Sequence, residues 1–293
     1  MTSLRVALVG TGRMGGAMAT RVAAAGHTLT VFNRTRSTAE EVASRCGGEV
    51  SVAATAREAA AASHLVIVSL ADDAAVRATY AGDDGLVAGL SEGTVVADTS
   101  TVAPETVRAL EPDVRAAGGV LVDTPVSGSV SSVESGTILV MAGGEADAVE
   151  RASSALESFA QRIIHLGPLG SGATMKLAVN AMVFGLNQTL AEALVLAEKA
   201  GVARDLAYEV FASSAVAAPF VHYKRAAFED PDSAPVAFAL ELVAKDLDLA
   251  TALADQVGAD VPQLATNRRV VADAIDAGRG DDDLSALAEH LRG

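Results

Sequence analysis

The chain has 293 residues, enough for two domains with buried cores, and half of them are apolar. A formal charge of −15, with 3% aromatics and no tryptophan, excludes a nucleic-acid partner held by a basic stripe or by stacking platforms. The single cysteine, Cys46, excludes an intramolecular disulfide framework and any cysteine metal cluster. No charged leader opens the chain, and its short apolar runs do not reach bilayer length, so a soluble cytoplasmic protein without a membrane partner is expected.

Leu4–Val9 reads as a short buried strand. It runs into Gly10-Thr11-Gly12-Arg13-Met14-Gly15, after which Met14, Ala17, Met18, Val22 and Ala25 repeat at helical spacing. Gly26 ends that helix, and Thr28–Phe32 reads as a second strand. A Gly-x-Gly-x-x-Gly turn is weak by itself, but between a strand and a helix it points to dinucleotide binding. Gly10 permits the tight turn, Gly12 lets the backbone approach a pyrophosphate, and Gly15 lets helix pack on strand. The helix N-terminus adds N–H donors and partial positive charge.

NAD sites usually carry an acid after the second strand, to accept from the ribose hydroxyl. Here the segment is Asn33-Arg34-Thr35-Arg36, with no carboxylate before Glu40. A guanidinium suits a 2′-phosphate, so NADP (NADPH) is the expected cofactor.

Helix is expected over Ala53–Ala62 and strand over His64–Ser69, which ends in Leu70. Thr94–Asp98 is a further strand, ending in Thr99-Ser100-Thr101 before a helix capped by Thr101 or a neighbour. Val120–Asp123 leads into Thr124-Pro125-Val126-Ser127-Gly128-Ser129, and Ile138–Met141 and Arg162–His165 complete the sheet. His64 and His165 lie in apolar strands and read as core histidines. Strands alternating with helices imply a mostly parallel sheet with its ligand crevice outside the strand C-termini. Thr101 and the Ser127–Ser129 turn fall at such ends and read together as pocket wall.

Beyond Gly167-Pro168 the strand signals stop. Ala173–Lys199, Asp205–Ser213, Pro235–Val257 and Gln263–Ala277 all read as helix. The fold class is therefore α/β: a Rossmann-type doubly wound sheet over 1–166, then an all-α domain over 167–293, joined by a long interdomain helix. In that helix Lys176 and Asn180 lie four apart on one face, and Asn187 returns close to it. A catalytic lysine and a solvated lysine near a helix start fit these residues equally. Phe238, Leu242, Lys245 and Leu249 share a face of the Pro235–Val257 helix, with Asp246 beside Lys245. The tail from Asp281-Asp282-Asp283 reads as a solvated helix start. No metal spacing and no Ser/His/Asp arrangement is visible.

These ordered motifs resemble the β-hydroxyacid dehydrogenase family, over nearly the whole chain. Gly10–Gly15 is similar to its cofactor fingerprint, and Asp123–Ser129 to its substrate signature. Gly170–Asn180 resembles its catalytic segment, and Lys245-Asp246 with Phe238 upstream resembles its C-terminal signature. The resemblance implies Lys176 as the general acid/base and Asn180 as its companion. It also implies Thr101, Ser127, Gly128, Ser129, Phe238 and Asp246 at the substrate, with Thr11, Leu70, Thr101 and Lys245 joining the glycine turn and Asn33–Thr35 at the cofactor. A small 3-hydroxy acid, semialdehyde or oxo acid is the implied substrate, and a homodimer or homotetramer the implied assembly. Ser129 departs from the family's glycine. It is expected to narrow the pocket, at a cost in strain if the turn needs positive φ there. Other readings of the same chain are an imine reductase, which typically lacks the lysine and the Pro-Val-Ser-Gly turn, and a non-catalytic dinucleotide-binding module. A phosphogluconate dehydrogenase would need a larger C-terminal domain.

Overall fold

The computed structural model describes residues 3–231 and 233–293. They form two compact units, Met1–Lys176 and Leu177–Gly293.

In the first unit, β1 (Arg5–Val9), β2 (Thr28–Phe32), β3 (Val50–Val52), β4 (Leu65–Val68), β5 (Val95–Asp98) and β6 (Val120–Asp123) form a parallel sheet. Its order is β3-β2-β1-β4-β5-β6, so the strand order reverses beside β1. Helices α1 (Arg13–Ala24), α2 (Arg36–Arg45), α3 (Ala56–Ala61), α4 (Asp73–Tyr80) and α5 (Pro104–Ala116) connect the strands. Alternation along β1 explains why both faces are buried. Val6 and Leu8 join Met18 and Val22 in one core, whereas Ala7 and Val9 join Val76, Tyr80 and Val107 in another.

The later strands do not complete this sheet, contrary to expectation. β7 (Val126–Ser127), β8 (Ile138–Ala142) and β9 (Ala160–His165) form a separate three-stranded sheet, with α6 (Val130–Glu134) and α7 (Ala146–Leu156) between them. β7 runs antiparallel to β8, so the ladder groups of β8 are taken by β7 and β9. β6 bridges this segment at the isolated pair Asp123–Gly143.

The second unit is helical. α8 (Ser171–Lys199) runs into it, followed by α9 (Arg204–Ser213), α10 (Pro219–Glu229), α11 (Leu240–Val257), α12 (Pro262–Ala274) and α13 (Leu287–Arg292). Leu177, Phe184 and Leu194 of α8 share a core with Tyr208, Phe228, Leu247 and Val271. Among the described residues α8 is long and apolar enough to cross a membrane, but this stripe is buried in protein. α10 had no counterpart in the sequence reading; Pro219 starts it, and Phe220, Val221, Lys224 and Phe228 are buried.

α11 begins at Leu240, five residues later than the expected Pro235. The Asp283 carboxylate takes the amides of Ala237 (2.8 Å) and Phe238 (3.1 Å), and Ala239 bridges Asp283, so this segment is held outside the helix. The acidic tail does open a helical turn, with Asp283 accepting from the Ser285 amide as its N-cap, but that start is buried and not solvated. Asp283 is buried against Lys224 at 2.5 Å.

Candidate active site

The glycine turn is built as a cradle. Gly10 has φ +94°, and a Cβ there would overlap the Ser69 carbonyl. A Cβ at Gly15 would overlap the Gly10 carbonyl, whereas one at Gly12 would meet nothing within 4 Å. α1 starts beside Gly12 with no side-chain cap and no acid in its first turn. A helix N-terminus without a side-chain cap or an acid in its first turn fits a pyrophosphate.

Asn33 ties the loop after β2 to this turn. Its Oδ1 accepts from the Thr11 amide at 3.2 Å, and its Nδ2 donates to the Thr35 carbonyl at 3.1 Å. Arg34 is exposed. Arg36 is held by Glu40 at 2.8 Å, but among the described residues no carboxylate lies within ion-pair distance of Arg34.

The next two strand ends are also joined. The Leu70 amide donates to Ser100 Oγ at 3.0 Å, and the Ser100 amide donates to Asp98 Oδ1 at 2.9 Å. Tyr80 donates its hydroxyl to Asp98 Oδ2 at 2.9 Å. Burial pushes the Asp98 carboxyl above its usual range and the Tyr80 phenol well above its own. Thr101 follows, half-buried. It does not cap α5, whose N-cap is Ala103, with that amide donating to Asp73 Oδ1 at 3.0 Å.

In the turn after β6, Gly128 takes φ +141°, where a Cβ would press on Ser132 and Ile138. Ser127 lies in β7, half-buried. Ser129 has φ −101° and ψ 177°, so the expected positive-φ strain is absent. Its hydroxyl instead caps α6 in a reciprocal capping box with Ser132.

Asp123 precedes this turn, and the sequence reading gave its side chain no task. It is 1% exposed, and its Oδ1 and Oδ2 accept from the amides of Gly170 (2.8 Å) and Ala173 (2.6 Å) at the start of α8. Lys176 follows, half-buried, within the first turns of α8.

In the helical unit the buried Asn180 donates from Nδ2 to Asp246 Oδ2 at 2.6 Å. Lys245 Nζ stands 2.9 Å from Asp246 Oδ1. Of this Lys-Asp pair, ordinarily surface decoration on a helix, Asp246 is 1% exposed, while Lys245 is half-buried. Phe238 stacks on Phe184 with centroids 5.9 Å apart, reaching it from the segment before α11 and not from a shared helical face. Asn187 donates to the Leu284 carbonyl at 2.8 Å.

His64 and His165 are exposed and not core histidines. His64 lies outside β4, and the His165 Nε2 reaches the Gly144 carbonyl at 2.9 Å. Among the described residues no group of His, Cys, Asp and Glu could hold a metal ion.

Residues 5–167 match the NAD binding domain of 6-phosphogluconate dehydrogenase, and residues 170–291 match the NAD-binding family of NADP-dependent 3-hydroxyisobutyrate dehydrogenase. The chain belongs to the β-hydroxyacid dehydrogenase family. The 3-sulfolactaldehyde reductase of Escherichia coli (strain K12) is 34% identical over 98% of this chain and 95% of its own length. Glyoxylate/succinic semialdehyde reductase 1 of Arabidopsis thaliana is 31% identical over 99% of both. A structure of Mycobacterium tuberculosis 3-hydroxyisobutyrate dehydrogenase with L-serine superposes with a TM-score of 0.87, at 29% identity and full coverage of both chains. As a β-hydroxyacid dehydrogenase, the chain is an NAD(P)-dependent oxidoreductase of small hydroxy acids or semialdehydes.

Proposed function

We propose that this enzyme uses NADP(H) and interconverts a small 3-hydroxy acid with its semialdehyde or oxo-acid counterpart, with Lys176 as general acid/base. The observation that carries the reading is the Asn180–Asp246 lock, four residues past Lys176 on α8. A buried amide held by a carboxylate is oriented before any substrate arrives, and a lysine about one helical turn earlier can titrate where the amide cannot.

The nicotinamide, when bound, supplies or accepts the hydride. Lys176 donates a proton to the substrate carbonyl oxygen in reduction and takes it back in oxidation. Asn180 orients that oxygen. Ser127, the Gly128 backbone and Ser129 receive the substrate carboxylate, and Phe238 forms an apolar wall. Asp246, engaged by Asn180 and Lys245, serves the substrate by fixing those two groups. Gly10, Thr11, Gly12, Arg13, Met14 and Gly15 hold the pyrophosphate, with Leu70, Thr101 and Lys245 as further cofactor contacts. Asn33, Arg34 and Thr35 would receive the 2′-phosphate, a role supported by the absence, among the described residues, of a carboxylate paired with Arg34.

A homodimer or homotetramer completes the reading. Met182 and Leu196 of α8 are 78% and 72% exposed, and Leu206 and Val210 of α9 are 61% and 64% exposed. Apolar surface of this kind favours association with a second copy. Cofactor oxidation against a panel of small semialdehydes and oxo acids, run with NADPH and with NADH, tests the proposal. Turnover with NADPH above NADH is expected; no turnover with any member would defeat the assignment of substrate class.

A further inference from the structure

We infer that Asp123 is a positioning residue for Lys176: its buried carboxylate clasps the start of α8 and sets the lysine in register with the turn that follows Asp123. The inference rests on the acid/base reading of Lys176.

A helix start leaves its first N–H groups without partners inside the helix, and an N-cap side chain ordinarily serves them. Gly170, with φ +92°, has no side chain, and the first turn of α8 holds no acid. The task passes to a residue 47 positions upstream. One Asp123 oxygen accepts from the Gly170 amide and the other from the Ala173 amide. Both oxygens are committed, so the carboxylate fixes the direction of the helix as well as its end.

The surroundings are shaped for this contact. A Cβ at Gly143 would overlap Asp123 Oδ1, and one at Gly172 would lie 2.8 Å from Oδ2. The Asp123 main chain is equally constrained. It exchanges two hydrogen bonds with Gly143, at 3.0 and 2.8 Å, and pairs with Asp98 in β5. From this fixed point the chain passes directly into Thr124–Ser129. Lys176 comes three residues after Ala173, about 4.5 Å along the helix axis. One side chain thus sets the separation between the substrate turn and the start of the lysine-bearing helix. Burial pushes the Asp123 carboxyl above its ordinary range, and the amides of Gly170, Ala173 and Gly172 work against that rise.

The test is a double-mutant cycle of Asp123→Asn with Lys176→Ala, alongside hydrogen exchange over the start of α8 and cofactor titration. Asp123→Asn is expected to lower kcat by roughly 10²-fold, the scale of a small misplacement of a reacting group. Cofactor Kd should be unmoved and exchange at Gly170–Ala173 faster. In the Lys176→Ala background the same change should alter the residual rate by less than about twofold. Asp123→Glu, which keeps both acceptor oxygens but displaces them by one methylene, should reproduce the kcat loss and serves if the Asn variant does not fold. Equal losses in both backgrounds, or unchanged exchange, would overturn the inference. A Lys176→Ala enzyme with wild-type turnover would instead defeat the acid/base reading, and exchange at α8 would then decide whether Asp123 holds the helix.

Discussion

Arg34 and Ser129 carry different kinds of consequence. A guanidinium hydrogen-bonded to a phosphate contributes about 1.5–3 kcal/mol, so Arg34→Ala should raise the KM for NADPH by roughly 10–100-fold and leave that for NADH nearly unchanged. Steady-state kinetics with both cofactors checks this, and a parallel rise in both would remove the 2′-phosphate from the loop's task. Ser129 is the N-cap of α6, so Ser129→Ala should cost about 1 kcal/mol in unfolding free energy, and Ser129→Gly only a few tenths. If denaturant titration ranks the two the other way, the cap is not what serine supplies. The glycine fingerprint and the Lys176–Asn180 spacing were readable in the chain because local geometry decides them. The tasks of Asp123, Asp246 and Asp283 were not. Each carboxylate meets partners far away in sequence, and a pattern of neighbours cannot announce such partners.

The segment before α11 makes the same point for an element. Helical periodicity runs through Pro235–Val257, yet the helix starts at Leu240, because Asp283 claims the amides of Ala237 and Phe238. Burial alone would raise the Asp283 carboxyl, but the hydrogen bond and charge of Lys224, with the Ser285 and Phe238 amides, hold it below the ordinary range. A carboxyl lowered in the folded state stabilises above its unfolded pKa, about 3.9, and loses that contribution as pH falls through its lower folded value. Breaking this buried pair by Asp283→Asn should cost roughly 3–5 kcal/mol at neutral pH. The gap to wild type should narrow when unfolding is repeated below about pH 3. A gap constant across that range would take the ion pair out of the account. Most strands were legible from apolar runs, but β3 and the second sheet were not: strands of two or three residues such as β7 and β3 have too little pattern to show themselves or which ladder β8 joins.

For the molecule as a whole, the sequence of an alternating β/α half and a helical half was readable from periodicity alone, since each half repeats its own period many times. Assembly is the property that the folded chain leaves exposed. The apolar side chains on α8 and α9 predict a dimer or tetramer by light scattering at micromolar concentration, and Met182→Glu with Leu196→Glu should shift it toward monomer. A wild-type monomer would leave those side chains without a task. The central claim is that this β-hydroxyacid dehydrogenase moves its proton through Lys176 while drawing hydride from NADPH. The most direct measurement compares kcat of wild type and Lys176→Ala for NADPH-dependent reduction of a small semialdehyde, with cofactor Kd measured on both. The account predicts a kcat lower by about 10²–10⁴-fold and an unchanged Kd. A variant that keeps half the wild-type rate would contradict it.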